Sequence, residues 1–258
     1  MKILRYKTRT ESATFGWLLD DRVGAINGDP FGSYRRLEAS LPIEHIKLLT
    51  PVLPSKIIAI KQNFLKTQAE NSQEPVPEFP QIFLKPSSSI IGNNRQIEIP
   101  PQSNKVSFSV EIAIVIGKKG RWVPLPKAND YIFGYTCCIN LFAQDILDRH
   151  PAELTRSYGF DTFTVLGPWI DTEYSVDDLL ISSYINDQLF QLIPTHEMIF
   201  SIPQLVSFAS SFMTLVPGDV LLTGGVPYDG SVKIDDTIRV EIGNLGTLQT
   251  IVAQSKAI

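Results

Sequence analysis

The chain has 258 residues, 43% of them hydrophobic, and a formal net charge of −4. That length and apolar content bury a large core without disulfides, and the acidic balance leaves no electrostatic footprint for nucleic acid. No apolar run approaches the roughly 18 residues of a membrane span, and the opening "MKILRYKTRT" lacks the apolar core of a signal peptide. The only cysteines, Cys137 and Cys138, are neighbours whose bridging would be badly strained. A reduced, cytoplasmic protein without nucleic-acid or membrane partners is expected. The three histidines, His45, His150 and His196, show no metal-ligand spacing.

In chain order, "MKILRYKT" and "FGWLLDDRVGAING" read as strands joined by an Asp-Asp turn, and "SYRRLEASL" as a short helix. Residues 1–50 are predicted to form a small N-terminal domain, and 51–258 a second one. "LLTPVLPSK" is a stiff extended linker and "KIIAI" a buried strand. "NFLKTQAENSQ" is a plausible short helix, followed by a proline-rich loop. "QIFLKPSSSIIGNN" is a strand and a turn. The clearest strand is "SVEIAIVIGKK", with Val110, Ile112, Ile114 and Ile116 on one face and Ser109, Glu111, Ala113 and Val115 on the other. Both faces are mostly apolar, so burial on both sides is expected. "GYTCCINLFAQD" reads as a strand entering a helix that opens at Leu141. Then come "FTVLGPWI", "SSYINDQLFQ", a helix near "SIPQLVSFASSFM", the turn "VPGD", the strand "VLLTGG" and a closing "TIRVEIGNLGTLQT". Strands outnumber helices in irregular order, which predicts an α+β, mostly β fold rather than a regular βαβ wind.

Several residues invite a functional reading, each beside a plainer one. Glu111 lies in an apolar strand, where a carboxylate is costly unless paired or coordinating; alternatively it sits at the strand mouth and reaches solvent. Asn140 shares a face with Thr136 and Cys138, and its plainer role is a helix cap. Cys138 invites a reading as a nucleophile, beside the plainer one of a small buried hydrophobe. Asp161 in "YGFDTFTVLGPW", and Thr223 with Gly224 after "VLL", sit where backbone approaches a ligand closely or where ordinary turns occur.

Taken together, nine segments in order, among them "FLKPSSSIIG", "VSFSVEIAIVIGKKG", "YIFGYTCCIN", "YGFDTFTVLGPWI" and "MTLVPGDVLLTGG", resemble the fumarylacetoacetate hydrolase family over nearly the whole chain. The resemblance implies a mixed β-roll or sandwich C-terminal domain, a homodimer, and chemistry on β-dicarbonyl and 2-oxo acid compounds. It also implies a Mg²⁺ or Mn²⁺ ion held by carboxylates, which stabilises an enolate. This chain departs from that pattern. The family's two strand glutamates become Ser109 and Glu111, and its aspartate becomes Asn140, so the charge facing a cation falls from about −3 to about −1. The family's general-base histidine falls at Thr67, with its partner retained as Glu70. An arginine becomes Gln144 and a lysine Tyr158. Lys85, Asp161, Thr223 and the adjoining glycines survive. No tight metal site and no cofactor are expected.

Two functions follow from the resemblance. In the first, the chain is a metal-independent isomerase, cyclase or lyase. Glu70 or Glu111 acts as base, Gln144, Tyr158, Asn140 and Ser109 supply neutral hydrogen bonds, and Lys85, Asp161, Thr223 and Gly224 hold a small-molecule substrate. Proton transfer, cyclisation, condensation or decarboxylation suits such a site better than C–C hydrolysis, which needs a base to activate water. In the second, the chain is a non-catalytic family member that binds a metabolite or protein. An open pocket with ordered Glu111 favours the first. A cleft filled by Phe142, Tyr158 or Leu147 favours the second.

Overall fold

The computed structural model describes residues 1–9, 12–64, 76–176 and 178–255. Six short strands open the chain: β1 Lys2–Lys7, β2 Thr14–Leu19, β3 Arg22–Gly28, β4 Tyr34–Arg36, β5 Leu41–Pro42 and β6 Lys47–Leu48. Next come β7 Ile57–Ile60, β8 Ile82–Lys85, β9 Ile90–Gly92, β10 Gln96–Ile99, β11 Val106–Ile116 and β12 Ile132–Ala143. Two short helices, α1 Gln144–Arg149 and α2 Leu154–Tyr158, precede β13 Thr164–Asp171, β14 Leu180–Ile185 and β15 Gln188–Pro194. The chain closes with α3 Ile202–Phe212, β16 Val220–Leu222, β17 Thr237–Ile242 and β18 Thr247–Gln254. The fold is α+β and mostly β. Among the described residues no helix is long and apolar enough to cross a membrane.

The larger sheet runs β4-β3-β2-β1-β13-β12-β11-β16-β7-β8, and the smaller β10-β18-β17-β14-β15. Every residue of β11 is buried, as its two apolar faces predict. Val110, Ile112, Ile114 and Ile116 join Ile139 and Leu141 of β12, Val206 of α3 and Val240 of β17 in the main core. Ala113 and Val115 face a second core with Ile57, Phe83, Cys138, Phe142 and Tyr158. Neighbouring residues of β11 and β12 therefore serve opposite layers, which follows from the two-residue period of a strand. The two cysteines are free and buried, one in each layer.

Two expectations need correcting. "SYRRLEASL" is not a helix: Tyr34–Arg36 pairs with β3, Tyr34 opposite Gly28 and Arg36 opposite Ile26. Its residues are exposed and carry no apolar stripe to bury, so pairing with a free strand edge wins over helical packing. Nor does a helix open at Leu141. The strand runs on to Ala143, because Leu141, Phe142 and Ala143 pair with Phe108, Ser107 and Val106 of β11. Asn140 is thus a mid-strand residue and not a helix cap. The helix expected over "NFLKTQAENSQ" falls almost wholly outside the described residues, as do Thr67 and Glu70.

The turn before β16 is tied down by Asp219, fully buried, which pairs with Lys56 and accepts from Ser55 Oγ at 2.6 Å and Val216 N at 2.8 Å. A buried charge held by several donors is satisfied in the way burial demands. It fixes where β16 enters the sheet, and so where Thr223 and Gly224, just past its three residues, lie.

Candidate active site

Glu111 is the centre of a buried polar node. Its side chain projects from the middle of the larger sheet and the residue is 1% exposed. Oε1 accepts from Ser109 Oγ at 2.7 Å and from Asn140 Nδ2 at 2.9 Å; Oε2 accepts from Gly224 N at 2.9 Å. Ser109 reaches it because residues two apart share a strand face, and Asn140 because it stands directly opposite Ser109 in register. Three donors on one carboxylate remove most of the penalty for burying its charge.

Asn140 extends the node to a cation. Its Oδ1 accepts from Lys85 Nζ at 2.5 Å, and Lys85 also donates to the Phe163 carbonyl at 2.9 Å. Lys85 ends β8, which β7 and β16 connect to β11, and it is 3% exposed. Burial pushes its amine down to about 7, and the charge of Glu111 opposes that shift without cancelling it. The Cys138 thiol is pushed well up, by burial first and the Glu111 charge second. It stays protonated at neutral pH, which rules it out as a thiolate nucleophile and leaves Glu111 as the anion facing Lys85.

An aromatic wall flanks this node. The Tyr158 ring stacks on Phe142 at 4.9 Å between centroids and tilts against Phe83 at 4.6 Å. Lys85 Nζ lies 5.7 Å from the Tyr158 ring centroid. Burial, with a smaller effect of Glu111, raises the Tyr158 phenol, so it acts as a neutral hydroxyl. Leu147 packs against the same cluster. Phe83 and the Phe163 carbonyl join the site without having been expected there. Phe83 was detectable, since it shares a strand face with Lys85; a backbone carbonyl leaves no such signal.

The remaining predicted residues divide. Gly224 has φ +75°, and a Cβ there would meet the Ile60 carbonyl at 2.8 Å. Only glycine lets this N–H turn toward Glu111 without strain. Thr223 is buried and its Oγ1 accepts from Ile112 N at 3.2 Å, bridging β16 to β11. The Gln144 amide donates to Asp148 Oδ1 at 2.5 Å on the exposed side of α1, and Asp161 is exposed in the loop before β13. The structure does not bring either one to Glu111. Glu70 lies outside the described residues.

The divalent cation implied by the resemblance does not fit these residues. Ser109, Glu111 and Asn140 do converge, but with one carboxylate among them. The Asn140 nitrogen points at that carboxylate and its oxygen holds the Lys85 amine, so a cation would displace or oppose a positive group. Among the described residues, no cluster of three or more His, Cys, Asp or Glu side chains is placed to hold a metal.

Residues 56–253 match the domain family described as fumarylacetoacetate (FAA) hydrolase C-terminal, and residues 1–51 the family Rv2993c-like, N-terminal. An uncharacterized protein of Archaeoglobus fulgidus is 42% identical over 209 residues, 81% of this chain and 83% of that protein. The mitochondrial oxaloacetate tautomerase Fahd2a of Rattus norvegicus is 36% identical over 231 residues, 83% of this chain and 72% of that protein. The crystal structure of 5-carboxymethyl-2-hydroxymuconate delta-isomerase from Mycobacterium smegmatis superposes with a TM-score of 0.90 at 33% identity, covering 99% of this chain and 100% of that one. On the domain match over residues 56–253 and these relatives, the chain belongs to the fumarylacetoacetate hydrolase family.

Proposed function

We propose that this chain is an enzyme that moves a proton within a small β-dicarbonyl or 2-oxo acid, interconverting tautomers or positional isomers without a tightly bound metal. The observation that carries the reading is the Lys85–Asn140–Glu111 relay, with a buried amine whose pKa of about 7 keeps both its forms populated at neutral pH. Two of the ammonium's three N–H groups are engaged by Asn140 and Phe163, leaving one for a substrate oxygen. As ammonium, Lys85 stabilises negative charge developing on a carbonyl oxygen; as amine, it accepts a proton from the adjacent carbon. Glu111 orients Asn140 and balances the cation. Tyr158 and Phe142 exclude water, which strengthens these interactions.

The relatives support proton transfer. One is named for an oxaloacetate tautomerase activity and another for a delta-isomerase activity, and both reactions shift a proton without breaking a C–C bond. Thr67, at the position where the resemblance implies a water-activating histidine, cannot serve as that base. Two free, buried cysteines suit the reduced interior of a cell.

The test follows the decay of the oxaloacetate enol absorbance in the presence of chelator. The protein should accelerate ketonisation, and Lys85→Met should abolish the acceleration while the fold, by circular dichroism, persists. The second reading, a non-catalytic binder, draws on the packing of Tyr158, Phe142 and Leu147 against the node, the filled cleft expected of it. A protein with no acceleration on oxaloacetate or simple 1,3-diketones, yet with saturable binding of either, would replace the first reading with the second.

A further inference from the structure

A cleft of about 820 Å³ opens beside the first strands, at the opposite end of β1 from its pairing with β13, and no residue of the Glu111 node lines it. Three of its lining residues are the cations Lys7, Arg9 and Lys47. Lys7 and Lys47 are direct cross-strand partners of β1 and β6. Like charges placed opposite one another on a sheet are destabilising. All three side chains belong to exposed residues, and none has an acidic partner among the described residues. By contrast Lys56, Arg149, Arg156 and Arg239 each pair with a carboxylate. Glu44, the one acidic lining residue among the described residues, lies 3.9 Å from the ring of its neighbour His45. The half-buried side chains of Leu41 and Ile46 also line the cleft and pack on the small core of Leu4, Tyr6 and Val23.

Cations that have no acidic partner among the described residues and converge on a concavity, in a chain whose net charge is −4, create a local field opposite to that of the whole molecule. We propose that this cleft binds a small organic polyanion bearing two or more phosphate or carboxylate groups. The three cations neutralise its charge, and Leu41 with Ile46 receives its apolar part. A multiply charged ligand bridging Lys7 and Lys47 relieves their mutual repulsion, which a single charge does only in part. The site is independent of the proton-transfer reading.

The experiment is calorimetric titration of the full chain with ATP, tripolyphosphate and citrate, each without added metal. Saturable binding of at least one is expected, weakening as sodium chloride is added. The Lys7→Ala/Arg9→Ala/Lys47→Ala variant should bind about tenfold or more weakly, while Lys118→Ala/Lys119→Ala, which changes exposed lysines elsewhere, should bind as the parent does. A preference for ATP and tripolyphosphate identifies a phosphate ligand, and a preference for citrate a polycarboxylate; either supports the site. Without ligand, the triple variant should melt no lower than the parent, because it removes charges that have no acidic partner among the described residues and relieves the Lys7–Lys47 repulsion. Absence of saturable heat with all three probes, or equal affinity in parent and triple variant, overturns the proposal.

Discussion

Asn140 turns its amide nitrogen to Glu111 Oε1 at 2.9 Å and its amide oxygen to Lys85 Nζ at 2.5 Å. One neutral side chain thereby couples a buried anion to a buried cation. An aspartate could accept from the lysine but could not donate to the glutamate, so the residue type decides what the node holds.

The clearest consequence concerns reversion. In Ser109→Glu/Asn140→Asp, three carboxylates converge where Ser109 Oγ and Asn140 Nδ2 now meet Glu111. Without an ion the double variant should melt several degrees below the parent, since like charges are buried together. Mg²⁺ in excess should raise its melting temperature by mass action and leave the parent's unchanged. Matched melts with chelator and with Mg²⁺ check this. A parent that shows micromolar Mn²⁺ affinity by calorimetry, lost in Glu111→Ala, would contradict the metal-independent site.

Lys85 sets a pH dependence whose sign is fixed. Its folded pKa, about 7, lies below the ordinary 10.5, so between those values the unfolded chain binds more protons than the folded one. Stability from this group therefore rises as pH increases from 7 toward 10.5 and is flat below 7, by an amount on the order of a few kcal/mol. Urea unfolding of parent and Lys85→Met at pH 7 and pH 9 should show a positive slope in the parent and a shallower one in the variant. Equal slopes would refute it.

Gly224→Ala should destabilise by about 1–3 kcal/mol. The added methyl meets the Ile60 carbonyl at 2.8 Å, and φ of +75° suits no side chain well. If the backbone relaxes instead, the N–H leaves Glu111 Oε2 and the buried carboxylate loses a donor. Either route lowers the denaturation midpoint, whereas an unchanged midpoint would mean that this N–H bond contributes nothing.

Assembly as a homodimer is expected from the family resemblance. Light scattering at tens of micromolar should give twice the chain mass. Large apolar side chains left exposed in this chain, among them Trp122, Phe79 and Phe212, are candidates for coverage by a second copy. A monomer at that concentration would count against it.

What the amino-acid sequence determined by itself is local or ordered along the chain. The alternation of Val110, Ile112 and Ile114 against Ser109, Glu111 and Ala113 specifies a strand buried on both faces, because strand period and solvent exclusion leave no other arrangement for those residues. The ordered motifs identify the family, and with it the convergence of Ser109, Glu111 and Asn140. Tertiary structure decided the rest. Gln144 and Tyr158 looked alike as neutral replacements, yet one donates to Asp148 at the surface and the other stacks into the aromatic wall. Asn140 looked like a cap until pairing with β11 carried the strand three residues further. The Lys85–Asn140 bond joins residues 55 positions apart. No local pattern encodes such a bond: it exists because tertiary packing brings the Lys85 side chain, at the end of β8, to Asn140 of β12, four places away in the sheet order, and the fall in the Lys85 pKa comes from the burial that this packing imposes.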